Sequence, residues 1–401
     1  MSLAQVNDFL EENHRRELDD MGEESVTSEA VAEKFVDVRR ELNQGMIERE
    51  AEVDAVLTAL VAGESVLLVG PPGTGKSMLG DAVCAWLAGS KFEVLLNKFT
   101  SPEEVNGPVS LKGLKEDRYE RIIVGKLPTA EIAFLDEIFK ASSAILNTLL
   151  KILNERKFVN HDKVVECPLQ LCIAASNEWP GEQDGKAELG ALFDRFLIRR
   201  TVQPVQDPRN MERLLWDPNL GVTLSNHITR VEIELARECA KSLEYTPEAK
   251  QGLEQIIAQL RSEGICPGDR RLRKATNIAR AFAYICGAEE VVPDHLEILA
   301  DVLWEDPVEQ PKTCRNVIGK IANPSGLIVN QLLAECQQVI RECNVGDMTS
   351  AAAASKKLGE ISKKANGLSD SKVKGSRAER ACTYIVEQHK DLKRKMVESI
   401  G

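Results

Sequence analysis

Residues 66–77 read Val66-Leu67-Leu68-Val69-Gly70-Pro71-Pro72-Gly73-Thr74-Gly75-Lys76-Ser77. The opening apolar run, closed by a glycine, has the composition of a buried strand, and residues 78–87 carry a helical pattern. The spacing G-x-x-x-x-G-K-S between a strand and a helix predicts a loop that cradles phosphate. Glycines let the backbone curl so that successive N–H groups face an anion, and the following helix turns its positive dipole end on the same point. In that setting Lys76 reaches the β and γ phosphates of a nucleotide and Ser77 a Mg2+ ion.

Outward from the loop, apolar runs at 92–96, 132–135, 171–175 and 196–202 alternate with helical sequence such as 142–153. With the opening run at 66–69 these make five, which predict a parallel sheet covered by helices on both faces. The run at 132–135 ends in Asp136-Glu137, sixty residues beyond Lys76. Carboxylates at the C-terminal end of a parallel strand lie where such sheets bind ligands. Asp136 is therefore read as a holder of Mg2+ and Glu137 as the base that polarises an attacking water. The run at 171–175 leads into Ser176-Asn177, whose amide can orient that water, although Asn at a strand end also suits an Asx-turn. Arg195, just ahead of the fifth run, is a cation of the kind usually found in an ion pair.

Beyond about residue 208 strand signals cease, and helical patterns follow at 228–243, 247–263, 270–287 and 293–304, then near 325–343, 350–365 and 376–399. The expected domains are a lead-in at 1–30, an α/β nucleotide-binding domain at 31–208, a helical lid at 209–306 and a helical extension at 307–401. The 401 residues exceed a single domain of about 150. Apolar residues make up 43% and charged ones 28%, a globular composition. With 51 basic against 63 acidic side chains the net charge is −12, which disfavours binding to nucleic acid or anionic membranes. Charge is polarised along the chain: residues 1–50 hold six Lys/Arg and fourteen Asp/Glu, and residues 351–401 hold twelve and six. The ten cysteines include no C-x-x-C pair, which argues against a zinc or dithiol site and for a reducing compartment. No run approaches the ~18 apolar residues of a membrane span, and the acidic N-terminus is unlike a signal peptide. A cytoplasmic location is expected.

Several adjoining motifs carry a resemblance across about residues 35–305. They are Gly107-Pro108-Val109-Ser110-Leu111 with Tyr119-Glu120-Arg121, Phe134-Leu135-Asp136-Glu137-Ile138-Phe139-Lys140-Ala141, Leu153-Asn154-Glu155-Arg156-Lys157-Phe158 and Ala175-Ser176-Asn177-Glu178. Together with the phosphate loop they resemble AAA+ ATPases of the MoxR family, closest to its RavA subfamily. The resemblance implies an α/β P-loop domain with a helical lid, assembled as a homo-oligomeric ring, usually a hexamer. It implies a hairpin insertion around 107–126 and a second hairpin around 155–168. It also implies ATP and Mg2+ as ligands, with Pro72, Gly73, Thr74, Gly75, Lys76, Ser77 and Met78 around the phosphates and Ile47 over the adenine. Ser77 and Asp136 would hold the metal, Glu137 would be the Walker B base, and Asn177 would be sensor 1. Arg195 matches the arginine finger that completes a neighbouring subunit's site. Sensor 2 falls in Pro267-Gly268-Asp269-Arg270-Arg271, at Arg270 with Arg271 as the alternative. The activity implied is chaperone-like remodelling of a protein client, with a von Willebrand factor A domain protein as partner. Two other classes stay open: a nucleic-acid motor of related fold, and a ring scaffold that binds ATP with little turnover. The tail beyond about 310 matches no motif.

Overall fold

A computed structural model describes residues 27–179, 195–343, 348–369 and 377–398. Most of the predicted lead-in lies outside these residues. Thr27 caps α1 (Ser28–Gly45) by accepting from Ala30 N, and α2 (Glu50–Ala62) ends on Gly63 in the left-handed region. There follow β1 (Ser65–Val69), α3 (Lys76–Leu87), β2 (Lys91–Leu95), the short α4 (Pro102–Asn106) and α5 (Leu111–Lys115), and β3 (Ile132–Asp136). Next come α6 (Ser143–Glu155), β4 (Lys157–Asn160), β5 (Lys163–Glu166), β6 (Leu171–Ser176), β7 (Phe196–Thr201) and α7 (Pro208–Trp216).

The five long strands pair in the order β2-β3-β6-β1-β7, all parallel. The α/β architecture expected from the alternating runs is present. On one face Ile145, Leu149 and Ile152 of α6 pack against Ala133, Leu135 and Cys172. On the other, α2 and α3 lie on the sheet, and α3 approaches β3 so closely that a Cβ at Gly80 would stand 2.6 Å from the Phe134 ring. Phe35 joins α1 to this layer by edge-on contacts with Trp86 at 5.1 Å and Tyr284 at 5.7 Å.

The implied insertion at 107–126 is hairpin-like rather than a regular hairpin. Val109 and Arg121 form a single antiparallel bridge, and α5 occupies the tip. Gly107, at φ 91°, begins it where a side chain would run into the Ile122 carbonyl. The second hairpin, β4-β5, is antiparallel. Asn160 fastens the two, accepting from Arg121 N at 2.7 Å and donating to Arg121 O at 3.0 Å.

The chain forms two compact units. The first holds the sheet together with α8 (Arg230–Ser242) and α10 (Asp269–Ile285), helices that pack on α1 and α2. Its buried ion pairs are well made: Arg39 grips both oxygens of Asp54 at 2.5 and 2.9 Å, and Arg200 pairs with Glu52 and Asp301. The second unit comprises α9 (Pro247–Ser262), the 3-10 run Pro293–Asp301 up to residue 300, α11 (Gln310–Ala322), α12 (Pro324–Glu342), α13 (Met348–Ser369) and α14 (Arg377–Glu398). Within it Leu332, Cys336, Leu358, Ile361, Cys382 and Ile385 form a three-helix core. Local differences from expectation stand out: α2, α7 and α11 were not predicted, and the helical pattern at 293–304 is realised as a 3-10 run confined to Pro293–Asp301, with His295 N bonded to Val292 O.

Gly80→Ala should lower stability by about 1–3 kcal/mol, because the helix is pressed on an aromatic ring that cannot retreat into a packed core. A urea midpoint that shifts with unchanged slope would register it.

Candidate functional site

The strand order sets the site. β1 lies between β6 and β7, and β3 flanks β6, so the loop after β1, the Asp136-Glu137 pair and Asn177 emerge at one edge. Val69 is level with Ser176 and Thr201. Gly70 N then donates to Ser176 O at 3.0 Å, and a side chain at Gly70 would collide with the Val202 carbonyl. Gly73 (φ 76°) and Gly75 (φ 81°) take the left-handed conformations that curl the loop. Gly75 is also the N-cap of α3 and offers no side-chain acceptor, which leaves the first amides of that helix to an anion.

Lys76 is 8% exposed. Its Nζ donates to the carbonyls of Gly70 at 2.6 Å and Pro71 at 3.0 Å, and stands 3.3 Å from Asn177 Oδ1. Asn177 Nδ2 in turn donates to Glu137 Oε1. One hydrogen-bonded chain therefore joins the loop lysine, the amide after β6 and the second carboxylate after β3. Burial pulls the Lys76 ammonium below its ordinary pKa, Asp136 and Glu137 draw it back up, and Arg49 adds to the lowering. Glu137 is itself in the left-handed region (φ 53°), where its backbone N donates to Asp136 Oδ1 at 2.9 Å. Among the described residues its second oxygen, Oε2, is buried without a hydrogen-bond partner.

Of the other predicted residues, Thr74 is buried with Oγ1 on the Pro71 carbonyl, and Pro72, Gly73, Ser77 and Met78 face outward. Ile47 is buried. Arg195 is not brought to this edge: it precedes β7 at the far end of the sheet, where Phe196 is level with Ser65. The length of β1 lies between, roughly 16 Å at about 3.3 Å per residue. Among the described residues the Arg195 Nε is buried without a hydrogen-bond partner. At the start of α10, Arg270 is exposed, whereas Arg271 is buried with Nη1 on Val302 O at 2.9 Å.

Two side chains in the site escaped the sequence reading. Lys140 places Nζ 3.2 Å from Glu137 Oε1 from within the 3-10 turn that follows it. Arg49, 7% exposed, donates through Nε to Thr74 O at 2.8 Å. Lys140 was within reach of reasoning, since three residues after a carboxylate is one such turn. Arg49 binds a carbonyl and leaves no pattern to read.

A buried lysine on a glycine-rich loop, with two carboxylates and an amide on adjoining parallel strands, defines a P-loop nucleotide-binding protein. A family model described as the MoxR domain in the MoxR-vWA-beta-propeller ternary systems matches residues 33–241, and one for an AAA lid domain matches 249–318. The chain belongs to the MoxR family of AAA+ ATPases. An uncharacterized protein of Methanocaldococcus jannaschii is 35% identical over 341 residues, 83% of this chain and 88% of that one. A second uncharacterized protein of that organism is 38% identical over 283 residues, 69% of this chain and 71% of the other. A solved structure from Cytophaga hutchinsonii, described as a candidate ATPase, shares the fold with a TM-score of 0.60 at 12% identity, covering 73% of this chain and 96% of that one.

Asn177→Ala removes the bridge between Lys76 and Glu137. Turnover of ATP should fall by about 10²-fold, with a much smaller change in affinity for a fluorescent ATP analogue. Phosphate release and titration read the two effects.

Proposed function

We propose that the chain hydrolyses ATP as a ring-forming remodeller of a protein client. The observation that carries this reading is the chain Lys76–Asn177–Glu137 with Glu137 Oε2 left free. A phosphate group offers Lys76 stronger acceptors than the two carbonyls that now hold it. Asn177 keeps Glu137 turned into the site, and Oε2 has the open lone pair that takes a proton from water as its oxygen attacks the γ phosphorus.

The residues also fit a Mg2+ ion. Ser77 and Asp136 are one hydroxyl and one carboxylate, and Mg2+ is usually held by one or two carboxylates together with substrate phosphates. When bound, it would neutralise charge on the β and γ oxygens. Met78, Pro72, Gly73 and Thr74 would complete the surroundings of the phosphates, and Ile47 the cover of the base.

Arg195 supports the ring. It lies a strand's length from its own loop, so a role in hydrolysis belongs to the site of a neighbouring copy. An arginine supplied in this way is worth about 10³–10⁵ in rate in comparable systems. Arg270, exposed at the start of α10, is assigned as sensor 2, and buried Arg271 to holding α10 through Val302.

A protein client is favoured over nucleic acid by the insertion at 107–126. Leu111 and Tyr119 on it are 76% and 57% exposed, and the charge of Arg118 is answered by Glu116 and Glu120. An exposed mixed surface of this kind suits an unfolded or flexible chain better than a phosphate backbone. The family description that names vWA and beta-propeller proteins motivates a partner with a von Willebrand factor A domain. We assign the chain to the RavA branch on its motifs, with a hexameric ring in the cytoplasm, and retain the division into an α/β domain at 31–208, a lid at 209–306 and an extension at 307–401. Among the described residues no helix is long and apolar enough to cross a membrane.

Lys76→Ala should abolish binding of ATP, and Glu137→Gln should keep affinity while losing turnover. Arg195→Ala should bind ATP almost normally and hydrolyse it slowly. Mixing the Arg195→Ala and Glu137→Gln chains should restore phosphate release, because some interfaces then pair an intact glutamate with an intact arginine. No recovery on mixing would assign Arg195 to its own subunit and sink the shared site.

A further inference from the structure

The segment Glu48-Arg49, between α1 and α2, ties together parts of the chain far apart in sequence. Glu48 stands at φ 54°, a conformation that a non-glycine residue keeps only when its surroundings over-determine it. The surroundings are specific. One carboxylate oxygen accepts from Gln206 N at 2.8 Å, and the other from Asp207 N at 2.9 Å and Asn210 Nδ2 at 3.0 Å. These groups open α7. The Glu48 carbonyl accepts from Arg49 Nη1 at 2.6 Å, while Arg49 Nε holds the Thr74 carbonyl in the phosphate loop at 2.8 Å.

Arg49 is buried, and among the described residues its partners are the carbonyls of Glu48 and Thr74, with no carboxylate. A buried guanidinium answered only by carbonyls is poorly compensated. It lies close enough to Lys76 to depress that lysine's pKa, so two cations bear on one place. An entering polyphosphate would relieve both. Ile47 precedes Glu48 directly, so whatever fixes Glu48 fixes the residue assigned to cover the base.

We propose that Glu48 and Arg49 are positioning residues that act on opposite ends of the nucleotide. Arg49 shapes the phosphate loop through the Thr74 carbonyl, and Glu48 holds Ile47 at the base by anchoring it to the start of α7. This inference rests on the reading of the site as an ATP site.

The test is calorimetric titration of the full chain with ATP and with inorganic tripolyphosphate, which has phosphates but no base, alongside thermal unfolding of each variant. The wild type binds both. Arg49→Met weakens both ligands by a similar factor of about tenfold or more, and Arg49→Lys does the same, because one ammonium cannot span two carbonyls in the geometry of a guanidinium. Glu48→Gln weakens ATP by about tenfold and leaves tripolyphosphate within about twofold. If Glu48→Gln does not fold, Asn210→Ala, which removes one of the three donors, carries the base arm with the same pattern. A merely structural role would weaken both ligands together in every variant, and that result overturns the proposal, as does recovery by Arg49→Lys. Wild-type binding with all variants unchanged overturns this inference alone. Failure of the wild type to bind either ligand overturns the ATP-site reading along with it.

Discussion

An ammonium buried at the C-terminal edge of a parallel sheet must find oxygen acceptors, and much of this site follows from how Lys76 finds them. Its partners are the carbonyls of Gly70 and Pro71 and the amide oxygen of Asn177. The first two exist because the loop curls through left-handed glycines at 73 and 75. The third exists because β6 lies next to β1 and ends level with it, Ser176 opposite Val69, so that Asn177 follows beside the loop. The placing of Lys76 therefore depends on the strand order at the centre of the sheet. The amide that accepts from Lys76 then donates to Glu137, so the charge on the loop and the charge on the carboxylate are linked through a neutral group.

Such an arrangement is poised rather than relaxed. Lys76 is held by carbonyls weaker than a phosphate would be, and its pKa is drawn down by burial. Glu137 sits in an uncommon backbone conformation with one oxygen unpartnered among the described residues. Strain and unmet polar capacity collect where a protein does chemistry, since elsewhere they would simply cost stability. By contrast, the buried charges of Arg39 with Asp54 and of Arg200 with Glu52 and Asp301 all have ionic partners within the scaffold.

Much of this was legible in the sequence, for a physical reason. A phosphate loop needs glycines, a lysine and a hydroxyl at fixed spacing, and a metal carboxylate needs a strand end, so Gly70 to Ser77 and Asp136-Glu137 declare themselves in contiguous residues. Asn177 was readable only from its place after an apolar run. Arg49, Glu48 and Lys140 were not, because their partners are backbone groups or distant side chains whose proximity depends on the finished fold. The insertion at 107–126 was foreseen as a doubled-back chain, but its helical tip was not, since Leu111–Lys115 is too short to show a period. Nor did the sequence separate α8 and α10, which pack with the sheet, from α9, which belongs to the second unit.

The central claim is that Lys76 is held in waiting by the loop carbonyls and is transferred to a phosphate. A crystal structure with a non-hydrolysable ATP analogue and Mg2+ tests it directly. The account predicts Lys76 Nζ on a phosphate oxygen and withdrawn from Gly70 O and Pro71 O, with Glu137 Oε2 hydrogen-bonded to a water facing the γ phosphorus. An analogue bound in the loop while Lys76 keeps both carbonyls, and Glu137 Oε2 stays without a partner, would contradict it.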